Sequence, residues 1–417
     1  MAVDADECHN SLETVCDRLK RRLHHARDIA LDVILTNMYT STGFNKKPRK
    51  LLDLFSIMAE LASIERWYSL SIVDRDARYG LRWPTSDKIP IKSFRSLRVL
   101  SIDAVTRTEL SAGSQLDFLT RIAQCRPRLY HLRIIREKVP PQLAPLFQQS
   151  TMVTFEAGPE AFDMLPDASF PKLREVTIDG SFWVTNAEQL WKIPSLANLT
   201  ILNCSPWLVS ALSTLNIETL HVDGLLDWNA SMLGSYSTVL CLPNLRTLSM
   251  KPCLPYHLKI FDARDTQSVR LSGAYKSDPE TVRKETEALT RSLFTDVRHL
   301  KIYPTSLTIR VEGITDRTLV VMLEAWPQLQ HLFIILGGTF DLFGILTQQL
   351  KDKKEPLCPK LETMYVEVGW SEQEKKWRRW RELAKEIMAR RKAYSLRSMT
   401  WRNNSFSAES VTRDTVT

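Results

Sequence analysis

Glycine is scarce in this chain, 13 residues in 417, which disfavours architectures built on glycine-rich nucleotide loops. No Gly-x-Gly-x-x-Gly, Walker loop, His-Glu-x-x-His, Gly-x-Ser-x-Gly or EF-hand pattern occurs. With no constellation for chemistry, neither an enzymatic activity nor a cofactor is expected. The seven cysteines are Cys8, Cys16, Cys125, Cys204, Cys241, Cys253 and Cys358. They are odd in number, scattered and without a Cys-x-x-Cys pair, which argues against a disulfide framework and against a zinc site. No long hydrophobic run occurs either. The most apolar stretch, Leu332–Leu346, is interrupted by Asp341 and is too short for a membrane span. The opening Met-Ala-Val-Asp-Ala-Asp-Glu is acidic and leads into no apolar core of the kind a secretion signal requires. A reduced, intracellular protein is expected, cytoplasmic and/or nuclear.

The net charge of +8 is mild for this length. The segment Ser371–Lys392 carries nine Lys/Arg against four Glu, a net +5, so the excess is local. A nucleic-acid partner is therefore not expected. The run Lys46-Lys47-Pro48-Arg49-Lys50 has the form of a nuclear import signal.

What the sequence does contain is self-similarity. The pattern Leu-x-x-Leu-x-Ile/Val/Met begins at Leu97, Leu129, Leu173, Leu196, Ile217, Leu245, Val297, Leu329, Leu361 and Leu396. Weaker copies lie at Trp67, around Val153 and Phe155, and around Val269 and Leu271, with a further apolar alternation at Ile29, Leu31 and Val33. The copies at Leu173, Leu196 and Ile217 are 23 and 21 residues apart, within the period of leucine-rich repeats. Alternation makes each copy a short strand with one buried face. Pro127, Pro171, Pro194, Pro243, Pro327 and Pro359 precede copies and set an extended entry to them. Cys204, Cys253 and Asn404 fall on the ninth position of the motif. There the side chain satisfies the following turn, so these cysteines read as buried structural groups.

Between strands lie amphipathic stretches at Gln115–Gln124, after Asp278-Pro279-Glu280, at Thr315–Trp326 and at Leu342–Leu350. Strand and helix in alternation predict an α/β leucine-rich-repeat solenoid, an irregular horseshoe with a parallel concave sheet and convex helices. Residues 1–25 read as an N-terminal helical cap and 26–404 as the solenoid, with a basic capping helix over 371–392. Residues 405–417 read as a disordered tail.

Strand alternation also picks out a candidate surface. The leucines of each motif turn inward, so its third, fifth and seventh residues line the concave face. For three successive copies these are His299, Lys301 and Tyr303, then His331, Phe333 and Ile335, then Thr363, Tyr365 and Glu367. Tyr303, Phe333, Ile335 and Tyr365 then form one patch, flanked by His299, His331 and Lys301, and clustered exposed aromatics mark a protein-binding surface. The middle of the stack instead offers Thr177, Thr200, Ser249 and Ser272 with Glu156, Asp179 and Asp223, small, polar and acidic. His131, His299 and His331 share one motif position, without a carboxylate or thiol beside them to complete a metal site.

The segments Ala26–Leu35 (ARDIALDVIL), Trp67–Ile72 (WYSLSI) and Leu357–Gly369 (LCPKLETMYVEVG), with the Phe/Leu-Pro-x-Leu-x-x-Leu-x-Ile units, resemble the repeats of fungal F-box-like proteins, especially the basidiomycete set. The resemblance covers nearly the whole chain. It implies a repeat region that selects substrates for a cullin-type ubiquitin ligase, whose adaptor docks on an N-terminal F-box. About 25 residues precede the first strand-like segment here, without the Leu-Pro-x-Glu-Ile-type opening of an F-box. The expectation is thus a non-catalytic recognition module that does not itself hold the adaptor and binds a protein of unknown identity on its concave face. A repeat-only adaptor or decoy is the alternative, or a basic repeat protein associating weakly with RNA or membrane.

Overall fold

Alternating apolar residues on short segments have a single good solution, a strand with one face buried, and this rule builds most of the molecule. The computed structural model describes residues 2–4, 12–25, 29–37, 55, 58–74, 94–104, 109–135, 141–148, 151–157, 172–179, 193, 195–202, 212, 215–223, 239–251, 255–273, 301–311, 316–336, 344, 346–347, 356–368, 374–391, 394–403 and 409–412. It shows a mixed α/β chain of parallel strands and few helices, divided into two units, Met1–Leu196 and Ala197–Thr417.

The first unit contains β1 (Ala2–Asp4), β2 (Leu31–Asn37), β3 (Trp67–Asp74), β4 (Val99–Ala104), β5 (His131–Ile135), β6 (Thr154–Ala157) and β7 (Glu175–Asp179). They pair in chain order, each parallel to the next. Parallel neighbours require crossovers, and α1 (Leu12–His25), α2 (Glu109–Gln124) and the short α3 (Ala144–Phe147) lie in three of these. Register places Leu70 beside Leu100 and Leu100 beside Leu132, all fully buried. Behind them Phe55, Trp67, Phe94 and Phe118 meet edge to face, with ring centroids 5.3–6.2 Å apart. Trp67 brings a polar group into that cluster and satisfies it locally, its indole N–H donating to the Ala62 carbonyl at 3.2 Å.

The second unit contains β8 (Asn198–Leu202), β9 (Thr219–Asp223), β10 (Leu240–Cys241), β11 (Thr247–Lys251), β12 (Phe261–Asp262), β13 (Ser268–Gly273), β14 (Ser306–Val311), β15 (His331–Leu336), β16 (Thr363–Val368), β17 (Ser398–Asn403) and β18 (Glu409–Thr412). Its helices are α4 (Asp316–Ala325) and α5 (Glu374–Arg390). The main sheet runs β8-β9-β11-β13-β14-β15-β16-β17, all parallel, and closes with β18 antiparallel to β17. The two-residue strands β10 and β12 pair with each other apart from it.

One turn recurs at the entry to the strands. The backbone N–H of the residue opening the motif donates to the carbonyl three residues before it: Leu97 to Phe94, Leu196 to Ile193, Leu245 to Leu242, Leu329 to Trp326 and Leu361 to Cys358. In one of these turns, and at two further strand entries, a hydroxyl bonds a carbonyl of the previous copy. Thr151 donates to the Leu129 carbonyl at 2.7 Å, Ser195 to Leu173 at 2.8 Å and Thr266 to Leu245 at 3.1 Å. Near the last strands Cys358 holds a left-handed backbone, φ 47°. The buried Arg391 guanidinium donates to the carbonyls of Leu357 and Cys358 beside it.

The structure departs from the sequence expectations at three places. The copy at Val297 was expected to enter the main sheet, yet the strand between β13 and β15 is Ser306–Val311. Within the expected tail, Glu409–Thr412 is a strand, because the edge of β17 offers unpaired backbone groups that a polar segment satisfies as well as an apolar one. The helix expected from Gln115 starts at Glu109 and buries Phe118 fully, whereas Leu116 is only half-buried. The import-like run 46–50, the helix expected after Asp278, His299, Cys204, Cys253 and Asn404 lie outside the described residues.

Candidate protein-binding site on the outer sheet face

The side of the second unit's sheet opposite its core is lined by alternate residues of β13 to β17. Register fixes which of them meet. Phe333 stands beside Tyr365, and Ile335 beside Glu367. The Phe333 and Tyr365 rings stack with centroids 4.4 Å apart and planes 6° from parallel. That spacing follows from the ~4.8 Å separation of neighbouring strands, which brings two directly paired rings face to face. Both rings remain half-exposed. On the row before them, His331 Nδ1 lies 2.9 Å from the Thr363 hydroxyl.

Toward β13 the surface changes character. Thr308 neighbours Phe333, Arg270 neighbours Thr308, and Arg310 neighbours Ser272. Arg270 and Arg310 are exposed and make no ion pair with any described residue. An aromatic stack with an aliphatic neighbour thus sits beside two guanidinium groups that no described residue compensates. The expected patch named none of these last residues, because their row is visible only once Ser306–Val311 is known to be the intervening strand.

Two residues expected in the patch are elsewhere. Lys301 bridges to Asp262 of β12, its Nζ 2.8 Å from the carboxylate, and its carbonyl accepts from Ala263 N–H. Tyr303 is 37 % exposed but precedes β14 and is not on the paired face. Pro304 follows this copy and cannot donate to a ladder, and a second alternation beyond it, Leu307 and Ile309, wins the place between β13 and β15 and supplies the buried face. Trp326 fixes the arrangement by donating its indole N–H to the Ile302 carbonyl at 2.9 Å.

The first unit's outer face is a charge ladder instead. Arg133 on β5 lies 3.4 Å from Asp103 on β4 and 2.9 Å from Glu156 on β6. The acidic character expected around Glu156 is therefore compensated, and in the second unit Asp223 has Lys251 at 4.0 Å. His131 and His221 are both held below the usual histidine range, chiefly by burial. Tyr68 and Tyr130 share a hydrogen bond of 2.6 Å, and Tyr130 is pushed up to about 12 mainly by that bond. Among the described residues no group of three or more His, Cys, Asp or Glu is arranged to hold a metal, and no helix is long and apolar enough to cross a membrane. Comparison with known proteins adds no assignment: no family model and no curated protein matches this chain.

Proposed function

We propose that this chain is a leucine-rich-repeat protein whose outer sheet face holds another protein, as the substrate-recognition region of an F-box-like ubiquitin-ligase receptor. The observation that carries the binding role is the Phe333–Tyr365 stack, two half-exposed rings in register on adjacent parallel strands. A large, rigid apolar surface gains several kcal/mol when a partner removes it from water. The neighbouring Arg270 and Arg310 favour a partner segment with acidic residues beside an apolar anchor. The ligase role rests on the resemblance of the repeat motifs and of the segments around Trp67 and Leu357 to that family.

The test replaces Phe333 and Tyr365 together by Ala and places a photo-crosslinking residue at Thr308. The stack is worth at most about 1.5 kcal/mol beyond the area the rings bury, and both rings are half-exposed, so the double variant should melt somewhat lower but still unfold cooperatively. A partner crosslinked reproducibly from Thr308 in the parent should be lost in the variant. Retention of the same crosslink would remove the patch, and a collapsed melting transition would make these rings part of the core. Co-isolation of that partner with ligase components in cells, dependent on the two rings, tests the ligase role separately.

A further inference from the structure

The first unit holds a second concentration of charge, where α2 ends. Cys125 N–H reaches back to the Arg121 and Ile122 carbonyls and Arg126 N–H to Ala123, so the helix is closed by its own last turn. The chain then reverses at Arg126, which holds a left-handed backbone, φ 49°. This is the position after a helix that glycine usually fills, because a side chain is strained there. The segment leaving that turn runs beside the entry to β4: Arg98 N–H bonds Tyr68, and Tyr130 N–H bonds Arg98.

Between these segments lies a depression of about 300 Å³ lined by Arg95, Arg98, Gln124, Cys125, Arg126 and Arg128. Four of its six lining residues are arginines, and none is acidic. Arg95, Arg126 and Arg128 make no ion pair with any described residue, while Arg98 Nη1 is anchored on the carbonyls of Arg95 and Leu97, both at 2.9 Å. Gln124 accepts from Arg121 at 3.2 Å, which leaves its amide N–H groups as further donors. Charge complementarity to the end of α2 does not account for the cluster. A helix C-terminus carries roughly half a negative charge, against four guanidinium groups here. Like charges gathered in one depression repel, and a bound counter-charge relieves that repulsion.

We infer that this depression is a binding site for a small anion carrying at least two phosphate groups. Guanidinium forks match phosphate oxygens two at a time, and the volume is at the lower end for small-molecule sites, larger than one phosphate needs. Arg126 fits the same reading: an arginine side chain stands here although the backbone favours glycine.

Isothermal titration of the full chain with pyrophosphate at physiological salt tests the site, with inorganic phosphate and a short single-stranded RNA as separate titrants. Pyrophosphate should bind, at least tenfold more tightly than phosphate, and the RNA should not compete with it. Arg98→Gln with Arg128→Gln should weaken pyrophosphate at least tenfold, and Arg21→Gln, on the exposed side of α1, should leave it unchanged. Arg126→Gly separates ligand from scaffold. It relaxes the backbone, so it should preserve or raise the melting temperature while weakening pyrophosphate about threefold or more. The inference is overturned if pyrophosphate fails to bind at millimolar concentration, if phosphate binds as tightly, or if RNA displaces it. It is equally overturned if Arg126→Gly lowers stability and leaves affinity intact, because the arginine would then serve the turn alone.

Discussion

Cysteine shows how a single residue type takes different chemistry from its surroundings. Cys241 is exposed, whereas Cys125 and Cys358 are buried. Cys358 donates its thiol to the Leu323 carbonyl at 3.1 Å, and burial pushes it up to about 12 against the opposing pull of Arg391. The thiolate is the reactive species, so a brief maleimide pulse at pH 7.5 should label Cys241 and leave Cys125 and Cys358 unmodified until the chain is denatured. Peptide mapping checks this, and rapid native labelling of Cys358 would mean that its turn opens readily from α4. The sequence showed seven scattered cysteines and no pairing logic, but it did not show which are shielded. Shielding comes from the elements packed over them.

A contact that recurs at several strand entries is the hydroxyl that bonds the previous copy. Thr266 is 2 % exposed, so its bond to the Leu245 carbonyl is made away from water. Valine keeps the shape and removes the donor, and Thr266→Val should cost about 1–2 kcal/mol. Thr151 makes the same bond from a half-buried position, and Thr151→Val should cost less, because water replaces the lost partner. Denaturant midpoints of the two variants decide it, and equal losses would show that burial does not set the value of this contact. The leucines and prolines of the motif are legible in the sequence, and this hydroxyl is not. Threonine and serine precede strands by chance often enough that only the paired carbonyl reveals the role.

At the scale of the whole molecule, the two half-buried histidines link stability to pH. His131 is held low by burial and by Arg133, against Glu156 and Glu175, and His221 by burial with Lys251 and Arg270, against Asp223. A base whose folded pKa lies below its unfolded value binds more protons when unfolded. Stability is therefore fully present above pH 6.5, the ordinary histidine value, and falls as pH drops below it. The denaturant midpoint should decrease from pH 7.5 to pH 5.5, and a His131→Gln, His221→Gln double variant should lose part of that decrease. An unchanged pH slope in the double variant would assign the effect to other groups.

Local chemistry by itself determined where most strands lie, which of their residues turn inward, and that Phe333 and Tyr365 face outward. These follow from a period of two and from the demand that apolar side chains leave water, both properties of a short segment. Pairing was a different matter. Val297–Ile302 and Ser306–Val311 both carry the alternation of a strand, and only competition for the place between β13 and β15 chose the second. That choice removed Tyr303 and Lys301 from the aromatic patch and brought Thr308, Arg270 and Arg310 to it. It was decided in three dimensions, because backbone hydrogen bonds between strands are made with partners tens of residues away. The arginine depression at the end of α2 has the same origin: residues 95–98 and 124–128 are drawn together by the Arg98–Tyr130 backbone bond, a contact no local pattern announces.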